Sequence, residues 1–250
     1  MSGIALRPRS GTELLDAAVE FLRGNFVTLA SVVALGQLPS LVVGVLWPAS
    51  ATDPFAVWRQ YPVLAALRTI FLFLVVGCWG VMFVQVVDDL MHGRPVSLGD
   101  SLRRALRRTV PATAAYALKY LVIILWMCLF ILPGIWAYAR YFAVMPAIAI
   151  EGLGPMEAIS RSKQLARGNN LRIIAVAGIP VVLGMFVMIV LQQTAVAMGT
   201  GGRGLAMLGA VASTILYPFM AVPAIFIYYD IRTRREGLDL DVATLSSAAA

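Results

Sequence analysis

Charged side chains inside apolar runs are the first candidates for chemistry in this sequence. Lys119 lies about nine residues into such a run, roughly 13 Å along a helix at 1.5 Å per residue. Arg140 lies well inside the next, shorter run. At mid-bilayer each costs on the order of 3 kcal/mol on insertion scales. The two runs are neighbours in sequence, and neither carries an acid near its middle. The pair therefore invites an anionic partner, a lipid phosphate or a substrate; the other reading is snorkelling or a carbonyl-capped structural role.

A second set is Asp88, Asp89 and His92, at the end of an apolar run. On a helix His92 is i+4 from Asp88 and i+3 from Asp89, so acid and imidazole share a face. That pattern suits a metal or a proton transfer. Without further ligands it falls short of a metal centre, and a solvated helix end capped by Gly93 explains it equally. No metal and no other cofactor are expected. A third set, Glu151 and Asp230 with Arg161, Arg167 and Arg232, reads as interfacial ion pairs that dock connectors. Cys78 and Cys128 both fall in apolar runs and read as small buried hydrophobes, not as a disulfide.

Composition defines what must hold these residues. Of 250 residues, 60% are hydrophobic and 13% charged, with a net charge of +7. Soluble domains carry about twice that charged fraction. A water-soluble enzyme and a disordered chain are both excluded, which leaves an all-α, polytopic membrane protein. Six stretches reach or approach spanning length: about 26–47, 66–87, 111–132, 135–150, 171–193 and 204–229. They define a single membrane domain over 1–236, with a disordered Ala/Ser-rich tail at 237–250. The Pro133-Gly134 pair suggests a tight hairpin between the third and fourth spans; one long bent helix is the alternative. The sixth span, with Pro218 and Pro223, is the best candidate for a broken helix. Pro39, Pro146 and Pro180 lie in other spans. Trp47, Trp58 and Tyr61 flank the first outer loop as interface anchors.

Fifteen of the twenty Lys and Arg fall on one side of this arrangement and three on the other, with Lys119 and Arg140 inside spans. The split predicts cytoplasmic N- and C-termini and makes anionic headgroups, not nucleic acid, the natural partner of the positive charge. Residues 1–25 lack the pattern of a cleaved signal peptide. Three segments on the basic side look alike. Ser10 and Glu13 form a capping box, Ser97 and Asp100 a similar one, and Pro155 with Glu157 opens the third. Each continues as an amphipathic helix: Leu15, Ala18, Phe21 and Leu22 in the first; Leu102, Ala105 and Leu106 in the second; Ile159, Ser162, Leu165 and Ala166 in the third. Arg23-Gly24-Asn25 and Arg167-Gly168-Asn169 end two of them with a glycine cap. The plan of interfacial helix, span, span thus occurs three times, as parallel repeats would.

At Leu132-Pro133-Gly134-Ile135, along Glu151 to Gly168, and again along Tyr228 to Leu240, the sequence resembles the membrane domain of bacterial glycerophosphoryl diester phosphodiesterases and related stand-alone inner-membrane proteins. The resemblance covers about residues 10–241 and departs from the pattern at Asn169-Asn170. It implies a six-span module of the bacterial inner membrane. In the two-part enzymes the chemistry belongs to a soluble barrel, and this sequence has neither that barrel nor its histidines. The first expectation is therefore a non-enzymatic module, acting as a scaffold, regulator or lipid-engaging partner of a membrane or cytoplasmic protein. The alternative is a transporter or permease for an anionic or lipid-like substrate, built on Lys119 and Arg140. An intramembrane enzyme using Asp88, Asp89 and His92 ranks third. Oligomeric state is open.

Overall fold

A computed structural model describes residues 10–46 and 56–236. Among them the chain is helical, without strands, and six helical segments are long and apolar enough to cross a membrane. The helices are α1 (Gly11–Leu46), α2 (Ala56–Gln60), α3 (Pro62–Met91), α4 (Leu98–Leu129), α5 (Ile131–Arg140), α6 (Val144–Ala149), α7 (Pro155–Ala166), α8 (Asn170–Ile173), α9 (Ile179–Ala197) and α10 (Gly202–Glu236). The protein is an all-α polytopic membrane protein. Trp47 and the expected tail at 237–250 lie outside the described residues.

The spans form a closed ring. Each packs against the next in sequence, and α10 returns to α1. The α1–α10 pair is antiparallel along its whole length. Phe21 meets Phe226 edge-on with centroids 5.4 Å apart, Gln37 Nε2 donates to Ser213 Oγ, and the Cβ position at Gly44 lies 3.1 Å from Ala206. The largest buried side chains, among them Leu22, Leu29, Phe83, Ile148 and Tyr228, concentrate toward the basic end of this ring.

The amphipathic segments keep their capping chemistry but not all their independence. Ser10 N donates to Glu13 Oε2 at 2.7 Å while Glu13 N donates to Ser10 Oγ at 3.2 Å, which is the expected box. Asp100 N donates to Ser97 Oγ, and Gly154 N to Glu157 Oε2. Only the third segment, α7, is a separate helix. The first two run straight into their spans as α1 and α4. Gly24 is not a cap, because α1 continues through it; Gly168, at φ +73°, does end its segment. Ala18, Phe21 and Leu22 bury their face as the period requires, with Leu14 buried beside them and the expected Leu15 only half-buried; Ile159, Ser162, Leu165 and Ala166 are all buried. In α4, Ala105 is buried while Leu102 and Leu106 are exposed. They line an outward apolar groove beside Pro39, Phe71 and Cys78.

Spans three and four are a hairpin, but the reversal precedes Pro133-Gly134. It falls on Phe130, a single extended residue at φ −158°, ψ 142° between α4 and α5. Pro133 then sits in the first turn of α5, where an N–H would have no helical partner. Gly134 permits the close return: a Cβ there would stand 2.9 Å from the Cα of Met127. The broken span is the fourth, not the sixth. Its helix stops at Arg140, turns over Tyr141–Ala143 and resumes as α6. Pro146 has no N–H for the Phe142 carbonyl, so the ladder fails there. The sixth span stays helical through Pro218 and Pro223, held along its length by α1. In the fifth, a π-turn over Ile174–Gly178 relaxes the ladder just ahead of Pro180.

Candidate functional site

The basic end of the ring is an ion-pair layer joining the ends of α3, α4, α8 and α10 with α7 and the α6–α7 loop. The α3–α4 connection brings Arg94 back over the end of α3 through Gly93, at φ +67°. All four carboxylate oxygens of Asp88 and Asp89 are engaged. Asp88 accepts from the Tyr229 hydroxyl on Oδ1 and from Arg94 on Oδ2. Asp89, 8% exposed, accepts from Arg104 Nη2 at 2.6 Å, and its Oδ1 forms an ion pair with Arg94 Nε at 3.0 Å. His92 Nδ1 lies 3.1 Å from Asp88 Oδ1, and its ring packs edge-on to Tyr229 at 5.8 Å. The hydrogen bond to Asp88 holds the imidazole pKa above its ordinary 6.5, against the opposing effect of partial burial. Asp88 and His92 therefore do meet, as their spacing predicts. Their remaining neighbours are arginines and a tyrosine, and no cluster of three His, Cys, Asp or Glu residues occurs among the described residues. The arrangement clamps the end of α3 to α4 and α10.

A second knot lies around Glu151. Arg161 Nε donates to Glu151 Oε2 at 2.9 Å, and the Tyr228 hydroxyl donates to Oε1. Arg232 Nε lies 3.8 Å from Glu151 and 3.0 Å from Glu236, which Arg161 also contacts. Asp230, 4% exposed, accepts from Arg172 Nη2 at 2.8 Å and Arg234 Nε at 2.9 Å. Glu151, Arg161, Asp230 and Arg232 are thus paired as expected. Arg167 is not. Its side chain is exposed, and its carbonyl accepts from Arg235. Arg172, in the first turn of α8, makes the acid pairing expected of Arg167 by reaching Asp230, although the sequence marks it only as another basic residue.

Lys119 and Arg140 part company. Lys119 is 8% exposed and turns inward among tyrosines, its ammonium 5.4 Å from the Tyr120 ring centroid and 5.8 Å from that of Tyr138. Tyr116 packs on Tyr120 at 4.5 Å. Arg140 is exposed and ends α5 at the break in the fourth span. Ser162, fully buried on α7, bridges that break: its hydroxyl donates to the Arg140 carbonyl at 2.9 Å and accepts from Ala143 N at 3.1 Å. Arg140 is therefore tied to the interfacial helix and faces outward, not into a shared core with Lys119.

Sequence reasoning missed several participants. Ser162 reads there as one more buried-face residue. Trp79 is wedged between Gly36 and Tyr217, its ring 4.2 Å from that of Tyr217, with its buried indole N–H unpaired. Tyr228 and Tyr229 precede Asp230 and could have been suspected from that adjacency alone. The sequence profile of a domain of unknown function (DUF7847) matches residues 96–229, just over half of the chain. No curated protein and no solved structure matches it.

Proposed function

The chain belongs to the DUF7847 family, and from that premise we propose that it is a non-enzymatic membrane module that organises lipid or a partner protein at the bacterial inner membrane. The observation that supports this reading is the ion-pair layer. Asp88, Asp89, Glu151, Asp230 and Glu236 each hold an arginine, and Asp88 and Glu151 each take a tyrosine hydroxyl as well. Carboxylates committed in this way are poor general bases, because each would first have to release a cationic partner. Such a layer suits a rigid platform. The proposal includes cytoplasmic termini, on the Lys and Arg distribution, and kinship with the membrane domain of glycerophosphoryl diester phosphodiesterases, on the motifs at Leu132–Ile135 and Glu151–Gly168. Membrane lipids are its first partners.

The test is turnover. The purified chain in lipid nanodiscs, incubated with glycerophosphodiesters and with phospholipids, should release no glycerol, headgroup or fatty acid above an empty-disc control. Product that scales with protein and disappears in Asp88→Asn would establish the enzyme reading in its place. The transporter reading rests on Lys119 and Arg140, of which only Lys119 turns into the bundle. If Lys119→Met abolishes uptake of an anionic solute into proteoliposomes, that reading replaces the module.

A further inference from the structure

The α4–α5 hairpin and the break in the fourth span enclose a cleft of about 420 Å³ on the outside of the bundle. Its walls are apolar and aromatic, with Trp126, Pro133, Trp136 and Tyr141 among them. Arg140 is the charged side chain that lines it. Arg140 is exposed and has no carboxylate within ion-pairing distance among the described residues. Lys163 on α7 does not line the cleft but adjoins its Tyr141 wall, its ammonium 5.4 Å from the ring centroid, and it too has no carboxylate partner among the described residues. Trp136 is fixed from behind: Asn170, oriented so that both ends of its amide are satisfied, accepts from the indole N–H at 3.2 Å and donates to the Ala166 carbonyl at 2.9 Å.

Two uncompensated cations beside an indole-walled trough on a membrane protein have one complementary ligand chemistry. A guanidinium offers a planar fork to a phosphate, an ammonium adds a point charge, and the trough offers apolar surface to a chain. Inorganic phosphate would leave those walls uncovered. We propose that the cleft is a binding site for an anionic phospholipid, with the phosphate on Arg140 and Lys163 and an acyl chain along Trp126 and Trp136. The proposal rests on the lipid-engaging module and names its lipid class and its contact residues.

The full chain, purified in mild detergent, is given equal phosphatidylglycerol and phosphatidylcholine of matched chains, and retained lipid is counted by native mass spectrometry. Phosphatidylglycerol should be retained preferentially. Arg140→Gln and Lys163→Gln should each cut that preference about fivefold, the equivalent of about 1 kcal/mol per cation near a lipid headgroup. Arg203→Gln, at the far end of the bundle, should leave it unchanged. Trp126→Leu should lower retention of both lipids while keeping their ratio. Thermal melting of each variant separates a lost site from a lost fold, and Lys163→Gln leaves the α5 break intact. The proposal fails if both Gln variants of the cleft retain the wild-type preference. It also fails if millimolar inorganic phosphate strips the lipid, which would make the site one for a free anion. Either result without turnover leaves the non-enzymatic module standing; turnover with selective retention removes the module and keeps the site.

Discussion

Single side chains at the basic end act through what they pin. His92 is the only histidine in the chain, so its ring can be followed by NMR without assignment. Its pKa should lie above 6.5, raised by the Asp88 carboxylate and opposed by Arg94 and by burial. Asp88→Asn should bring it back down. The sign follows from linkage: a raised pKa in the folded state stabilises below the unfolded value and loses that contribution as pH rises through the folded one. Melting temperature should therefore fall as pH climbs through the His92 titration, and the dependence should vanish in His92→Gln. Gly36 is a second such residue. A Cβ there would stand 1.7 Å from the Trp79 ring, so Gly36→Ala must displace the indole. Overpacking of this kind costs about 1–3 kcal/mol. A melting curve unchanged within a degree would mean that Trp79 moves aside freely. The sequence marks Asp88 and His92 by spacing, but Gly36 carries no sign of its role, because the crowding comes from α3 and α10, distant in the chain.

At the scale of elements, the informative places are where helices stop. The six spans and their order are legible from apolar run length alone, since a bilayer imposes that length on every crossing segment. Where each helix begins and ends is not. Phe130 has no turn-forming character, yet it takes the reversal, because the geometry is set by Gly134 lying against Met127. The doubled prolines of α10 look like a break and are not one, whereas the single Pro146 contributes to one. The difference is tertiary: α1 supports α10 throughout, while the fourth span is interrupted beside α7, whose Ser162 hydroxyl meets the freed groups. Ser162→Ala should leave the Ala143 N–H buried without a partner and cost about 1–3 kcal/mol. Ser162→Thr, which keeps the hydroxyl, separates the lost hydrogen bond from any effect of substitution at that site. Equal melting temperatures for wild type and Ser162→Ala would show that the break is held by packing alone. Gly77 offers a test of the α3–α4 contact. Its Cβ position is 3.0 Å from the Thr113 backbone nitrogen, so Gly77→Ala must part the helices, and it should lower the melting temperature more than Gly99→Ala, where the Cβ meets open space.

For the molecule as a whole, the distribution of Lys and Arg and the ion-pair layer describe one asymmetry. The sequence places the charges on one side of the membrane, and the structure gathers them into contact. Which arginine meets which acid was only partly legible, because pairing depends on how α7 and the ends of α3 and α10 meet. Cysteines introduced at Arg23 and Arg103, in a background lacking Cys78 and Cys128, should be shielded from an impermeant thiol reagent added outside intact cells. Cysteines at Gln60 and Arg203 should react. Labelling of the first pair and not the second would invert the orientation. Asp230→Asn tests the layer itself: it removes the charge that Arg172 and Arg234 share around a residue 4% exposed, and because both arginines keep partial access to solvent the loss should be about 1–3 kcal/mol. The closed ring also has a history in time. Gln37 on α1 meets Ser213 on α10, 176 residues later in the chain. At ribosomal rates of about 5–20 residues per second, that is on the order of ten to thirty seconds. Throughout that interval α1 waits in lipid with a bare amide and an unmatched face, so a helix made early in this stretch of chain is completed only when α10 arrives.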